Sequence, residues 1–179
     1  MTTGLFGGAF DPPHNGHVAL VVGALAHFGL SRVVVLVSER PGHRSVVAPV
    51  EARLRLAEAA FPACEVELDP YSRTIELLRA RDFGDAILLV GADQLRDFPA
   101  WKEPEAVLER IRLGVATRPG HSVPEVAVDP DRVSFFEIEP VPVSGTMIRA
   151  RCARGESLEG LVPAAVERLI GELALYRPA

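Results

Sequence analysis

Two histidines three residues apart, His14 and His17, stand just beyond a glycine pair in the run Gly7-Gly8-Ala9-Phe10-Asp11-Pro12-Pro13-His14-Asn15-Gly16-His17. Residues of these types at this spacing suit the binding of phosphate. Glycines without a Cβ, followed by the small Ala9, let backbone N–H groups close on an anion. Pro12 and Pro13 hold the loop extended, and a helical segment then begins around His14 to His17. On a helix a three-residue spacing puts both imidazoles on one face, one turn apart, where each can donate to a phosphate oxygen. The helix start adds unpaired amides and a partial positive charge. The competing readings are a metal pair and a polar loop with incidental histidines. A metal site needs three or four ligands, and His27, His43, His121 and two distant cysteines supply no ligand spacing.

A second cluster lies near the other end of the chain. Ser144, Gly145 and Thr146 precede Arg149, so small residues stand at a helix start with an arginine three residues beyond Thr146 on the same face. Ser144 and Thr146 can cap that helix and donate to phosphate, and the guanidinium fork matches phosphate oxygens. Alone, this is an ordinary capped helix with a solvated arginine; beside the histidine loop it reads as the second half of a phosphate site. Lys102 is the only lysine, which excludes a Walker A loop and, next to Glu103, leaves no plausible Schiff-base amine. Phosphate chemistry in this chain must therefore use Arg, His and backbone.

The elements that would position these residues alternate along the sequence. Apolar runs at Gly4 to Phe6, Val33 to Val37, Val66 to Leu68, Ala86 to Val90, Leu113 to Ala116 and Phe135 to Ile138 read as strands buried on both faces. Helical candidates fall between them at Gly16 to Phe28, Val50 to Phe61, Thr74 to Arg81 and Pro104 to Arg110, with two more at Thr146 to Arg154 and Pro163 to Tyr176. Pro119 to Pro130 reads as an irregular loop. This order predicts an α/β fold: a single-domain, Rossmann-like, doubly wound parallel sheet with helices on both faces and a small carboxy-terminal helical extension. Ligands gather at the carboxyl ends of such strands, where the glycine loop sits.

Composition bounds the partners. The 179 residues carry a net charge of −5 with scattered arginines, which argues against nucleic acid, and 48% of them are apolar, enough for a substantial core. The apolar stretch Val18 to Leu30 is too short for a membrane span and has no basic flank, so neither membrane anchorage nor a signal peptide is expected. Cys64 and Cys152 lie far apart without redox or metal spacing, which suits reduced thiols in the cytoplasm. Oligomeric state is not encoded legibly, and a homo-oligomer stays open.

The two phosphate clusters resemble the GGxFDPxHxGH and ISSTxIR signatures of the nucleotidyltransferase superfamily, and most of all those of the bacterial nicotinate-nucleotide adenylyltransferases. Gly91-Ala92-Asp93-Gln94-Leu95 with Phe98-Pro99-Ala100-Trp101 is similar to that family's GADxL and FPxW stretch. Arg118-Pro119-Gly120 resembles its RPG turn, and Leu161-Val162-Pro163 with Leu175-Tyr176 its LVP and LY helix. The similarity spans essentially the whole chain. It implies transfer of AMP from ATP to nicotinate mononucleotide, giving deamido-NAD and pyrophosphate, with Mg2+ accompanying the triphosphate. His14, His17 and Arg149 would be catalytic, with His17 at the α-phosphate. Gly7, Gly8, Ala9, Phe10, Gly91, Asp93, Ser144 and Thr146 would join them in holding ATP, Asp93 at the adenosine ribose. His43 and Arg44 would meet the acceptor's phosphate, amides around Thr74 its carboxylate, and Trp101 its pyridine ring. Blander readings stand beside these: Asp93 as a helix cap, Trp101 as a core residue, and His43 and Arg44 as a solvated loop.

Three positions depart from the family pattern. Gly42 replaces a proline in the loop carrying His43 and Arg44, Arg73 replaces a tyrosine before Thr74, and Gly145 replaces a serine. The first two touch the acceptor side. The rival readings are therefore adenylyl transfer to nicotinamide mononucleotide or phosphopantetheine, and a catalytically silent nucleotide-binding module.

Overall fold

Runs of valine, leucine and isoleucine pair into one six-stranded, all-parallel sheet in the computed structural model, which describes residues 2–42, 46–119 and 128–177. The strands are β1 (Thr3–Gly8), β2 (Arg32–Ser38), β3 (Glu65–Asp69), β4 (Ala86–Gly91), β5 (Arg112–Thr117) and β6 (Val133–Glu137), in the spatial order β3-β2-β1-β4-β5-β6. The helices are α1 (Asn15–Phe28), α2 (Val50–Ala60), α3 (Thr74–Ala80), α4 (Ala92–Asp97), α5 (Pro104–Arg110), α6 (Gly145–Ala153) and α7 (Ala164–Glu172). The expected doubly wound α/β sheet is the observed one.

Strand residues alternate between two cores, as the two-residue pleat requires. Phe6, Val33, Val35, Val37, Ile87 and Leu89 face α1, α2, α6 and α7, meeting Leu20, Ala24, Leu56, Ile148 and Val166. Leu5, Val34, Leu36, Leu88, Val90 and Val115 face α3, α4 and α5, meeting Ile75, Leu95 and Val107. With both faces covered, the inner strands are apolar throughout. The edge strand β3 is only half covered, which is why it reads Glu-Val-Glu-Leu-Asp.

Beyond shifts of one or two residues at element ends, such as β6 at Val133–Glu137 instead of Phe135 to Ile138, the structure differs from the sequence reading at three places. The six residues of α4, followed by a 3-10 turn at Phe98–Ala100, were not anticipated as a helix, because a segment this short shows no periodicity. The last helix ends at Glu172 instead of reaching Tyr176: Ala174 and Tyr176 take positive φ, 49° and 62°, and turn the chain back. Of the loop expected at Pro119 to Pro130, residues 120–127 lie outside the described residues, and Pro130–Arg132 forms a 3-10 turn.

Candidate active site

Pairing between β1 and β4 stops at Leu5↔Leu88, whereas β1 stays with β2 as far as Gly8↔Val37 and β4 with β5 as far as Gly91↔Ala116. The two central strands therefore part at their carboxyl ends. The opening falls where the sheet's growth reverses direction, the place at which open α/β sheets form a crevice. Gly7 and Gly91, at its lips, have nothing within 4 Å of where a Cβ would stand. Gly8 serves a different purpose: a Cβ there would meet the Phe10 ring at 3.0 Å. Phe10 is 2% exposed, so only its backbone can reach a ligand.

His14 and His17 meet through the helix cap. His14 is the N-cap of α1, and its amide donates to Nδ1 of His17 at 3.1 Å. That bond occupies the Nδ1 lone pair, so the proton of a neutral His17 sits on Nε2, where it is a donor. The two rings stack with centroids 3.7 Å apart, and Phe10 and Phe6 wall the His17 ring at 5.3 and 5.9 Å. Burial keeps His14 uncharged by lowering its pKa from 6.5 to about 4. Its Nδ1 is buried without a hydrogen-bond partner among the described residues.

Arg149 reaches across from α6. Its Nη1 donates to the Asp11 carbonyl at 2.7 Å and its Nη2 to Thr146 Oγ1 at 3.2 Å, which aims the fork while leaving further N–H donors for an anion. Ser144 caps α6 by accepting from the Met147 amide at 3.2 Å. Neither α1 nor α6 has an acidic residue in its first turn, so both positive helix ends are uncompensated. The two clusters also pack directly. A Cβ on Gly16 would stand 3.5 Å from Val143, and one on Gly145 would stand 3.0 Å from the Asp11 carbonyl and 3.2 Å from Arg149 Nη1. The third departure from the family pattern thus sits where a side chain would crowd the Arg149 to Asp11 bond.

Three residues that shape this site were not assigned roles from sequence. Asp11, 7% exposed, accepts from the amides of Val47 at 2.7 Å and Ala48 at 3.0 Å and from the Tyr176 hydroxyl at 2.8 Å. Burial, then the Asp11 carboxylate, pushes the Tyr176 hydroxyl far up from its ordinary pKa and keeps it protonated. Arg53, 1% exposed, donates to the carbonyls of Ala9 and Ser38 at 2.8 Å each, with longer contacts to Ala48 at 3.3 Å and Glu39 at 3.4 Å. Burial lowers its pKa and Asp11 opposes that shift. A signal existed: Arg53 falls in register with Leu56, Ala57 and Ala60 on the buried face of α2, where a lone cation needs partners.

The acceptor candidates are more scattered. His43 and Arg44 lie outside the described residues. Thr74 opens α3 without making a side-chain cap. Trp101 is half-buried, its ring 5.2 Å from Phe98, so it is neither wholly core nor wholly free. Ion pairs from Lys102 to Glu76, at 2.8 Å, and from Glu103 to Arg79, at 2.6 Å, tie the Trp101 segment to α3 and place Thr74 and Trp101 on linked elements. The two acceptor-side departures touch each other, since a Cβ on Gly42 would come within 2.6 Å of Arg73 Nη1. Asp93 is not the helix cap, which is Gly91; its side chain is 86% exposed and pairs with Arg96 at 3.0 Å.

A parallel sheet split between β1 and β4, with histidines and an arginine brought to the split by two helix starts, defines a nucleotide-transfer architecture. Accordingly, residues 5–151 match the family described as cytidylyltransferase-like, and the chain belongs to it. Within that class the chain belongs to the nicotinate-nucleotide adenylyltransferases. It is 38% identical to a protein of Salinibacter ruber and 37% identical to one of Bordetella avium, each named "probable nicotinate-nucleotide adenylyltransferase". The matches cover 99% of both chains in the first case and 98% of both in the second. The fold is also that of Plasmodium falciparum nicotinic acid mononucleotide adenylyltransferase complexed with NaAD, with a TM-score of 0.76, 14% identity, and 98% of this chain and 97% of that one covered. Among the described residues no helix is long and apolar enough to cross a membrane.

Proposed function

We propose that this chain, read as one nucleotidyltransferase domain, transfers AMP from ATP to nicotinate mononucleotide, releasing pyrophosphate and forming deamido-NAD. The observation that carries the reading is the shared crevice: the His14–His17 stack and the Arg149 fork converge on one loop, held by the Asp11 carbonyl, at the split between β1 and β4. The full-length relatives supply the acceptor.

The nucleophile in this reaction is an ionised phosphate monoester, so no side chain need remove a proton or form a covalent intermediate. The acceptor phosphate attacks the α-phosphorus of ATP in line; one P–O bond forms as the bond to the bridging oxygen breaks, and the electron pair leaves with pyrophosphate. Catalysis is then positioning and charge stabilisation. His17, donating through Nε2, takes the α-phosphate, where charge develops. His14 and Arg149 hold the ATP phosphates with the amides of Gly8, Ala9 and Thr146. Gly7 and Gly91 leave room for the nucleotide at the lips of the crevice, and Asp93 meets the ribose by releasing Arg96. Thr74, Trp101, His43 and Arg44 form the acceptor side. Magnesium enters as part of the triphosphate substrate, a hard cation suited to phosphate oxygens and water. The free, half-buried Cys64 and Cys152 suit a reducing cytoplasm.

The test is pyrophosphate release from Mg-ATP with nicotinate mononucleotide, nicotinamide mononucleotide or phosphopantetheine in parallel. Release dependent on the nicotinate form supports the reading. A preference for the nicotinamide form refutes the carboxylate role of the Thr74 region, and no release with any acceptor indicates a silent nucleotide-binding module.

A further inference from the structure

Asp11 occupies a position that the reaction scheme does not use. One carboxylate, almost fully buried, binds the segment that leads into α2 through the amides of Val47 and Ala48 and the carboxy-terminal turn through Tyr176. The same residue's carbonyl receives Arg149, whose Nη1 also lies 3.9 Å from the Asp11 carboxylate. Val47 and Ala48 precede α2 in the segment between β2 and α2, which carries His43 and Arg44 and so belongs to the acceptor side under the proposed function, whereas Arg149 belongs there to the ATP side. Arg53 directs its side-chain hydrogen bonds to Ala9, Ser38, Glu39 and Ala48, tying the start of α2 to the segments that leave β1 and β2, and gives none of them to α6.

We infer that Asp11 is a positioning residue that couples the two substrate sites: its carboxylate sets the Val47–Ala48 segment and its carbonyl sets Arg149, so that ordering either side favours the other. The inference rests on the proposed function for the identity of the acceptor. Both contacts come from a single residue whose carboxylate is fixed by three donors. A shift of the 46–48 segment that pulls the carboxylate therefore moves the carbonyl that aims Arg149. Binding of an anion by Arg149 restrains the carbonyl, and through it the segment. Such a linkage must be reciprocal.

The experiment is calorimetric titration of the whole chain with an unreactive ATP analogue methylene-bridged between its α- and β-phosphates, and with nicotinate mononucleotide, each alone and in the presence of the other. Wild type should bind the mononucleotide about tenfold tighter when the analogue is present, and the analogue tighter by the same factor when the mononucleotide is present. In Asp11→Asn one acceptor oxygen becomes a donor, which places an N–H against the amide of Val47 or of Ala48 and breaks the paired grip on the segment, and the factor should fall below about twofold. Tyr176→Phe removes the third donor but keeps both amide bonds, so it should lower the melting temperature while retaining the coupling. A purely structural role for Asp11 would make the two variants lose melting temperature together with no change in the coupling factor, and that result would overturn the inference. So would a wild type that binds both ligands independently. A wild type that binds the analogue but not the mononucleotide would instead defeat the proposed acceptor, which keeps the two failures distinct.

Discussion

Replacing Arg53 by Met should destabilise the protein severely, although Arg53 is absent from every reaction step. Its guanidinium is 1% exposed and donates to the carbonyls of Ala9 and Ser38 at 2.8 Å, with weaker contacts to Ala48 at 3.3 Å and Glu39 at 3.4 Å. Met fills similar volume, so the loss is mainly polar. Two short charge-assisted bonds are each worth about 1.5–3 kcal/mol, and the two long ones add little. The expected loss is therefore about 4 kcal/mol, a large share of the roughly 5–15 kcal/mol that folded domains possess. At roughly 2–4 °C per kcal/mol for a chain of this size, the melting temperature should drop by about 8–16 °C. Urea unfolding followed by circular dichroism measures it, with Arg53→Lys as a control that keeps the charge and should recover about half. A loss under about 1 kcal/mol for Arg53→Met would show that the four carbonyls find other donors or water, and that Arg53 does not clamp β1, β2 and α2 together.

Three further outcomes follow from the site. His17→Ala should lower kcat by about 10²–10³ while ATP affinity falls less than about fivefold, because its contact strengthens as charge develops; near-normal kcat in steady-state assays would remove His17 from the mechanism. His14 has a folded pKa of about 4 against 6.5 unfolded, so the stability it lends is fully present above pH 6.5 and is lost as pH falls toward 4. That amounts to at most about 3 kcal/mol, and His14→Gln should flatten the fall in urea midpoint across this window; parallel curves would contradict the burial argument. Trp101→Ala should raise the acceptor KM about tenfold with the ATP KM unchanged, and equal effects on both would contradict ring stacking.

The sheet was legible because its inner strands are continuous apolar runs separated by helix-length segments, a pattern that admits few architectures. The helix starts at His14 and Ser144 were legible through turn and cap chemistry, and their meeting through the phosphate chemistry they share and the family resemblance. Long-range polar partners were not legible. Nothing in the spacing shows that Asp11 binds Tyr176 or that Arg53 reaches the carbonyls of Ala9 and Ser38, because such bonds depend on tertiary placement and not on local period. Tyr176 was masked further by reading the last helix through it, when the positive φ of Ala174 and Tyr176 is what turns its hydroxyl inward. The glycines illustrate a subtler gap. Gly7 and Gly8 carry the same expectation in sequence, yet Gly7 borders open space and Gly8 makes way for the Phe10 ring.

The central claim is that both ends of the chain grip one triphosphate at the split between β1 and β4. A crystal structure of the protein with an unreactive ATP analogue tests it most directly. The triphosphate should lie in the crevice, with oxygens within hydrogen-bond distance of His17 Nε2 on one side and the Arg149 guanidinium on the other. A triphosphate bound elsewhere, or one that meets His17 while Arg149 stays on the Asp11 carbonyl with no phosphate contact, would contradict it.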